Sequence, residues 1–209
     1  MRIAVFGASG RTGRKIVEQA LGHGHDITAA VRTPEALAVS HPRLHVVRAD
    51  VRDLEQVRAA VAGCDAVVSA IGAPLAKQVD LYSEGIANIL QAMVEQGVLR
   101  LAVLSAMGTF ARKDKNIAWV YRTLMMPRLA PVYDDLERME TRIMASSAEW
   151  TIVRPAGLTD GPATGHYRVS LDGRALRKGR QVSRADVAAL ALKSLSVDTY
   201  LRRAVTIAY

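Results

Sequence analysis

The sequence predicts an α/β protein built on one doubly wound, parallel sheet, and three observations carry that prediction. Short apolar runs alternate with amphipathic stretches along the chain. Several runs, such as Ile3–Phe6 and Ala66–Val68, are apolar throughout, as strands buried on both faces tend to be. Directly after the first run, Gly7, Gly10 and Gly13 fall at the spacing GxxGxxG, and an amphipathic stretch with Ile16, Val17, Ala20 and Leu21 on one face follows.

Taken in order, the pattern predicts a strand Arg2–Phe6, a helix from Arg11, and a strand Asp26–Val31. A short helical stretch near Glu35–Val39, a strand Leu44–Arg48 and a helix Leu54–Ala62 come next. Cys64 opens a strand that runs to Ala70, followed by a helix Leu81–Gln96 and a strand Leu101–Ser105. Met107–Pro131 reads as irregular, with Met125 and Met126 either filling core gaps or touching a flat ligand. A helix Val132–Ser146 leads to the strand Trp150–Arg154, which Pro155 stops, and Gly157, Gly161, Pro162 and Gly165 mark a loop. The tail holds a helix Ser183–Leu195, with Ser183 as N-cap and Asp186 at N3, and a last strand near Ala204–Ala208. Repeats and linkers are absent, so residues 1–209 read as a single Rossmann-like domain.

The glycine spacing has a mechanism. Gly7 permits the sharp turn out of the strand, Gly10 lets backbone approach a pyrophosphate, and Gly13 lets the helix pack on the sheet. Free N–H groups at the helix start then attract an anion. The end of the second strand chooses the cofactor: an acid there holds the ribose hydroxyls of NAD, whereas an arginine accommodates the 2′-phosphate of NADP. This strand ends on Arg32, and Arg11 stands in the glycine loop, which favours NADP, unless both are merely solvated. Asp50 and Val51 follow the third strand, where Asp50 is either an acceptor for the adenine amino group or a turn and capping acid. Ala70, Ile71 and Gly72 follow the fourth strand and Ser105 ends the fifth, on the rim where ligands of parallel sheets bind.

Bulk composition excludes several classes. With 50% hydrophobic residues and no run near the length of a membrane span, the chain reads as a globular protein outside the membrane, without a signal peptide. One cysteine excludes an internal disulfide framework and suits a reducing cytoplasm. The excess of 28 Lys+Arg over 20 Asp+Glu is scattered and aromatics are only 5%, so an anionic small molecule explains the charge better than nucleic acid. The five histidines lie away from cysteines and carboxylates at ligand spacing, and no metal site is expected; His166, beside Tyr167, is the one worth testing.

Gly7–Gly13, Val31-Arg32, Ala49-Asp50-Val51, Ser83-Glu84-Gly85 before Asn88, and Ile152-Val153-Arg154-Pro155 together resemble the atypical short-chain dehydrogenases that bind NAD(P)H. The likeness is greatest to the biliverdin reductase B and flavin reductase branch, and it includes Asp134-Asp135, Thr164-Gly165, Tyr167 and Leu171-Asp172-Gly173. By position, the resemblance implies cofactor contacts from Gly7, Ser9, Gly10, Arg11, Thr12, Arg32, Asp50, Val51, Ile71, Gly72 and Tyr82, with Ser105 beside the nicotinamide. Two active-site histidines of that branch are matched here by Leu136 and Ala156.

The Tyr-x-x-x-Lys pair of ordinary short-chain dehydrogenases is also missing. Tyr133 is followed four residues on by Glu137, an anion that cannot favour a phenolate as lysine does, so Tyr133 reads as a packing or surface residue. The expected activity is therefore NADPH-dependent reduction of a flavin, tetrapyrrole or quinone-like acceptor, by a monomer or small homo-oligomer, with Ser105 orienting a ligand or capping local backbone. The alternative is an NADP-sensing regulator similar to the NmrA-like branch, without turnover. An epimerase is disfavoured by the missing Tyr/Lys pair.

Overall fold

Strand β1 (Arg2–Phe6) sits in the middle of the sheet because both of its faces are covered. Ile3 and Val5 point into one apolar layer, Ala4 and Phe6 into the other, and all four are fully buried. The two-residue period of a strand puts neighbours on opposite faces, so a run without polar residues requires helices on both sides. Trimming Phe6 to Ala would cost about 3–5 kcal/mol. The computed structural model describes residues 1–73, 79–110, 123 and 126–209. Met125 lies outside these residues, so its expected role is not addressed.

β1 pairs in parallel with β2 (Asp26–Val31) and with β4 (Ala66–Ser69). Outward from β2 lies β3 (Leu44–Arg48); outward from β4 lie β5 (Arg100–Leu104), β6 (Glu149–Pro155) and β10 (Arg203–Ala208), all parallel. β8 (Arg168–Ser170) closes that edge antiparallel to β10, giving eight strands in the order β3-β2-β1-β4-β5-β6-β10-β8. The chain leaves β1 in one direction for β2 and β3, then returns to its other side for β4. Between β1 and β4 the helices therefore diverge and leave a crevice beyond the carboxyl ends of the strands.

Helices α1 (Arg11–Gly22) and α5 (Arg184–Ser194) pack together on one face. On the other face lie α2 (Leu54–Val61), α3 (Leu81–Gln96) and α4 (Met126–Met144). Their capping is specific. Asp53 caps α2 by accepting from the N–H groups of Glu55 and Gln56, and Ser183 caps α5 by accepting from the N–H of Asp186, the arrangement expected from sequence. Asp80, the N-cap of α3, makes no capping bond of its own. Asp135 of α4, fully buried, takes that role from across the layer by accepting from Tyr82 N at 2.8 Å and from Ser83 N at 3.3 Å. A buried helix start left without such a partner would cost about 1–3 kcal/mol per unpaired donor.

Four local expectations change. Helix α4 begins at Met126 rather than Val132, because Pro127 falls in the first turn, where no N–H is needed, and Pro131 removes only one later bond. Cys64 precedes β4 rather than opening it; the thiol is buried, and burial pushes its pKa up. The helical stretch after β2 is only the 3₁₀ turn Pro34–Ala36. The expected loop after Pro155 contains β7 (Gly157–Thr159), paired in parallel with β9 (Gln181–Ser183) as a small second sheet. No helix among the described residues is long and apolar enough to cross a membrane.

Candidate functional site

The loop from β1 into α1 is cut to fit backbone against backbone. Gly7 has φ +75°, and a Cβ there would come within 2.5 Å of the Ala70 carbonyl oxygen at the end of β4. At Gly13 a Cβ would lie 2.1 Å from the Gly7 carbonyl oxygen, so any side chain would push α1 off the loop. Gly10 caps α1 with no side chain, and no acid stands in the first turn. The helix start therefore keeps its positive end and its orphan N–H groups turned toward the crevice. This cradle fits a pyrophosphate, and a carboxylate cap would have closed it.

A cleft of about 520 Å³ extends from this loop in both directions along the strand ends. Of the residues that sequence singled out for the cofactor, all but Gly13 border it; Gly13 lies behind the loop and acts through packing. At one end Arg32, just past β2, is exposed and has no hydrogen-bond or ion-pair partner among the described residues. Asp50 forms a turn, with Oδ1 accepting from Arg52 N at 3.0 Å, while Asp53 takes the capping role. Val51 packs where a Cβ on Gly85 would lie 2.9 Å from its Cγ2. The Tyr82 hydroxyl accepts from Ala73 N at 2.9 Å and so pins the segment that carries Ile71 and Gly72. Burial raises the Tyr82 pKa, keeping it a neutral tether.

The other end is apolar. Leu104, Ala106, Leu129, Val132, Leu136 and Leu158 line it, with Ser105 and Tyr133 supplying hydroxyls. Of the two roles its sequence context allowed, Tyr133 takes packing rather than surface, and it does so on the cleft wall. It is 8% exposed, borders the cleft, and lies so close over Gly108 that a Cβ there would meet its ring carbons at 2.4 Å. Leu136 also borders the cleft, whereas His166 and Ala156 do not.

Ser105 stands on a charged pair that sequence reading missed. Its Oγ donates to Oε1 of Glu140 at 2.5 Å, and Glu140 is fully buried. Arg154 grips the same carboxylate through Nε, 3.1 Å from Oε1 and 3.2 Å from Oε2, and through Nη2 to Oε2. A buried acid of this kind persists only when paired. The signal lay in the helix period: Leu136, Met139, Glu140 and Ile143 share one face of α4, so Glu140 is a carboxylate on an otherwise apolar stripe.

Arg11 and Arg184 meet at the mouth of the cleft. Asp160, in the segment after β7, accepts from Arg184 Nη1 at 2.7 Å and from Arg11 Nη1 at 3.1 Å. Arg11 is thus drawn toward β7 while Arg32 has no partner among the described residues, so the two arginines expected to flank one phosphate are held differently. Arg184, at the start of α5 and bordering the cleft, is a further cation that sequence gave no reason to choose.

Comparison with known proteins agrees with this geometry. An uncharacterised chloroplastic protein of Arabidopsis thaliana is 32% identical over 208 residues, covering 93% of this chain and 71% of its own length. The uncharacterised sugar epimerase YhfK of Bacillus subtilis is 28% identical over 211 residues, covering 98% of this chain and 92% of its own. A wide-type short-chain dehydrogenase/reductase of Veillonella parvula, solved in complex with NADP, shares the fold with a TM-score of 0.79 at 20% identity, over 100% of this chain and 94% of that one. Residues 7–198, which carry the glycine cradle, the cleft and α5, match the NAD(P)H-binding family, and the chain belongs to it.

Proposed function

We propose that the protein is an NADPH-dependent reductase of a flavin or a similar conjugated, planar acceptor. The observation that carries this reading is the contrast between the two ends of the cleft. Apart from Arg184 at the mouth, the described wall beyond the glycine loop is apolar with the Ser105 and Tyr133 hydroxyls, which suits a flat ring lying on a nicotinamide. The opposite end offers Arg32, without a partner among the described residues, to a 2′-phosphate. The bound dinucleotide would supply hydride; the chain's own part is to orient both rings, and the acceptor's proton can come from water. A conjugated acceptor takes hydride without a strong acid, and Tyr133 has Glu137 four residues on, where a lysine would have favoured a phenolate. Leu136 and Ala156, in place of two histidines, favour flavin over biliverdin.

The decisive experiment is a screen of NADPH oxidation, followed by absorbance, against FMN, FAD, quinones and biliverdin. Flavin or quinone turnover well above biliverdin turnover is expected; a clear preference for biliverdin would overturn the acceptor assignment. A second reading is a cofactor sensor without turnover, which the commitment of the Ser105 proton to Glu140 favours. Tight NADPH binding with no oxidation by any acceptor would select it.

A further inference from the structure

A serine hydroxyl has one proton and two lone pairs, so knowing where the proton goes fixes what the oxygen can offer a ligand. At Ser105 the proton goes to Glu140, at 2.5 Å, and that carboxylate is anchored by three contacts from Arg154. Both partners are removed from water: Glu140 is fully buried and Arg154 is 7% exposed. Charge-assisted bonds of this kind are about twice as strong as neutral ones, so a ligand carbonyl at the cleft competes poorly for the proton. Among the described residues, the one other side chain bonded to Ser105 Oγ is Thr109, whose Oγ1 lies 3.2 Å away and itself donates to the Ala106 carbonyl at 2.8 Å. Even if Thr109 turned its proton to Ser105, the serine oxygen would only be accepting.

We infer that Ser105 presents its oxygen to the cleft solely as a hydrogen-bond acceptor, with Glu140 as the positioning residue that holds its proton away. The inference rests on the reading that the nicotinamide half of the cofactor lies at this end. It names the chemistry recognised there: a ligand N–H or O–H, such as the amino group of the nicotinamide carboxamide, and not a carbonyl oxygen. Ser105 then neither polarises an acceptor carbonyl nor delivers a proton to it.

The test compares the affinity of the protein for NADP⁺ and for its 3-acetylpyridine analogue, which keeps the carbonyl and lacks the N–H donors. Calorimetric titration of the native protein should show NADP⁺ binding about fivefold to tenfold more tightly, the worth of one hydrogen bond of ~1 kcal/mol or slightly more. Ser105→Ala should bring the two affinities within about twofold, and Ser105→Thr, which keeps the hydroxyl, should retain the preference. Glu140→Gln should shrink the preference as well, because the amide can donate to Ser105 and release its proton to the analogue's carbonyl. Should that variant not fold, the serine pair decides alone. Equal affinities in the native protein, or a preference that survives in Ser105→Ala, would overturn the inference while leaving NADP binding intact. Failure of NADP⁺ itself to bind would instead remove the reading beneath it.

Discussion

The Asp160 carboxylate and the Arg184 guanidinium form a 2.7 Å contact that ties the segment after β7 to the start of α5, at the mouth of the cleft. The other Asp160 oxygen holds Arg11 in the glycine loop, so one anion occupies two cations beside a pyrophosphate cradle. Arg184 is only 10% exposed in its side chain, whereas Asp160 and Arg11 are 64% and 72% exposed, which makes the Asp160–Arg11 pair the weak one. Asp160 thus stands where a phosphate would compete with it.

From this arrangement, Asp160→Asn should tighten NADP⁺ binding by about twofold to fivefold at low salt, since it frees two cations and removes a like charge. Arg184→Ala should act in the opposite direction, by about tenfold. Calorimetric titrations at low and high ionic strength check both signs. Weaker binding in Asp160→Asn would mean that the carboxylate orients the arginines rather than competing for them.

Arg32 gives a second prediction. With no partner among the described residues, it has no competing contact to lose when a 2′-phosphate arrives. NADPH should bind at least about tenfold more tightly than NADH, and Arg32→Asp should reduce or invert that ratio, mainly by weakening NADPH. Equal dissociation constants for the two cofactors would sink the NADP assignment.

The doubly wound parallel sheet and its crevice were legible in the sequence because runs such as Ile3–Phe6 can only be buried on both faces, and the glycine spacing fixes where the crevice opens. Capping by Ser183 was equally legible, since a local cap needs only its own helix. Contacts made across elements were not. Asp135 caps α3 from α4, 53 residues from Tyr82 in the chain, and neither end carries a local mark of the other. The three-residue strands β7 and β9 are too short to show a period. Packing by Tyr133 was legible, but its place on the cleft wall was not, because its neighbours in sequence carry no mark of the cleft.

Asp186 ties stability to pH in the acid range. Burial alone would raise its pKa, but donors from Gly165 N, Tyr209 Oη and Thr164 N and Oγ1 outweigh that and hold it down to about 2. Because the folded value lies below the unfolded one, near 3.8, the carboxylate stabilises the fold fully above that pH. Its contribution, roughly 2 kcal/mol, is lost as pH falls from about 4 to about 2. Asp186→Asn should therefore be less stable at neutral pH, with the gap to the native protein closing through that window. Denaturant unfolding at pH 7 and at pH 3 measures it; a gap independent of pH would assign the loss to geometry alone.

The last prediction concerns the kind of catalysis this cleft performs. Oxidising a secondary alcohol requires a group that takes the hydroxyl proton, and a positioned acid–base group contributes about 10²–10⁴-fold. Ser105 has its proton committed to Glu140, and Tyr133 has Glu137 rather than a lysine four residues on in α4. Alcohol oxidation with NADP⁺ should therefore be negligible. Reduction of a conjugated acceptor should depend weakly on either hydroxyl, because solvent can supply the proton after hydride transfer. Ser105→Ala and Tyr133→Phe should each slow flavin reduction by no more than about tenfold, the scale of one lost hydrogen bond. Single-turnover rates at saturating NADPH separate this effect from binding. A thousandfold loss in either variant, with NADPH binding unchanged, would identify that hydroxyl as the proton donor and replace orientation with acid catalysis as the source of the rate.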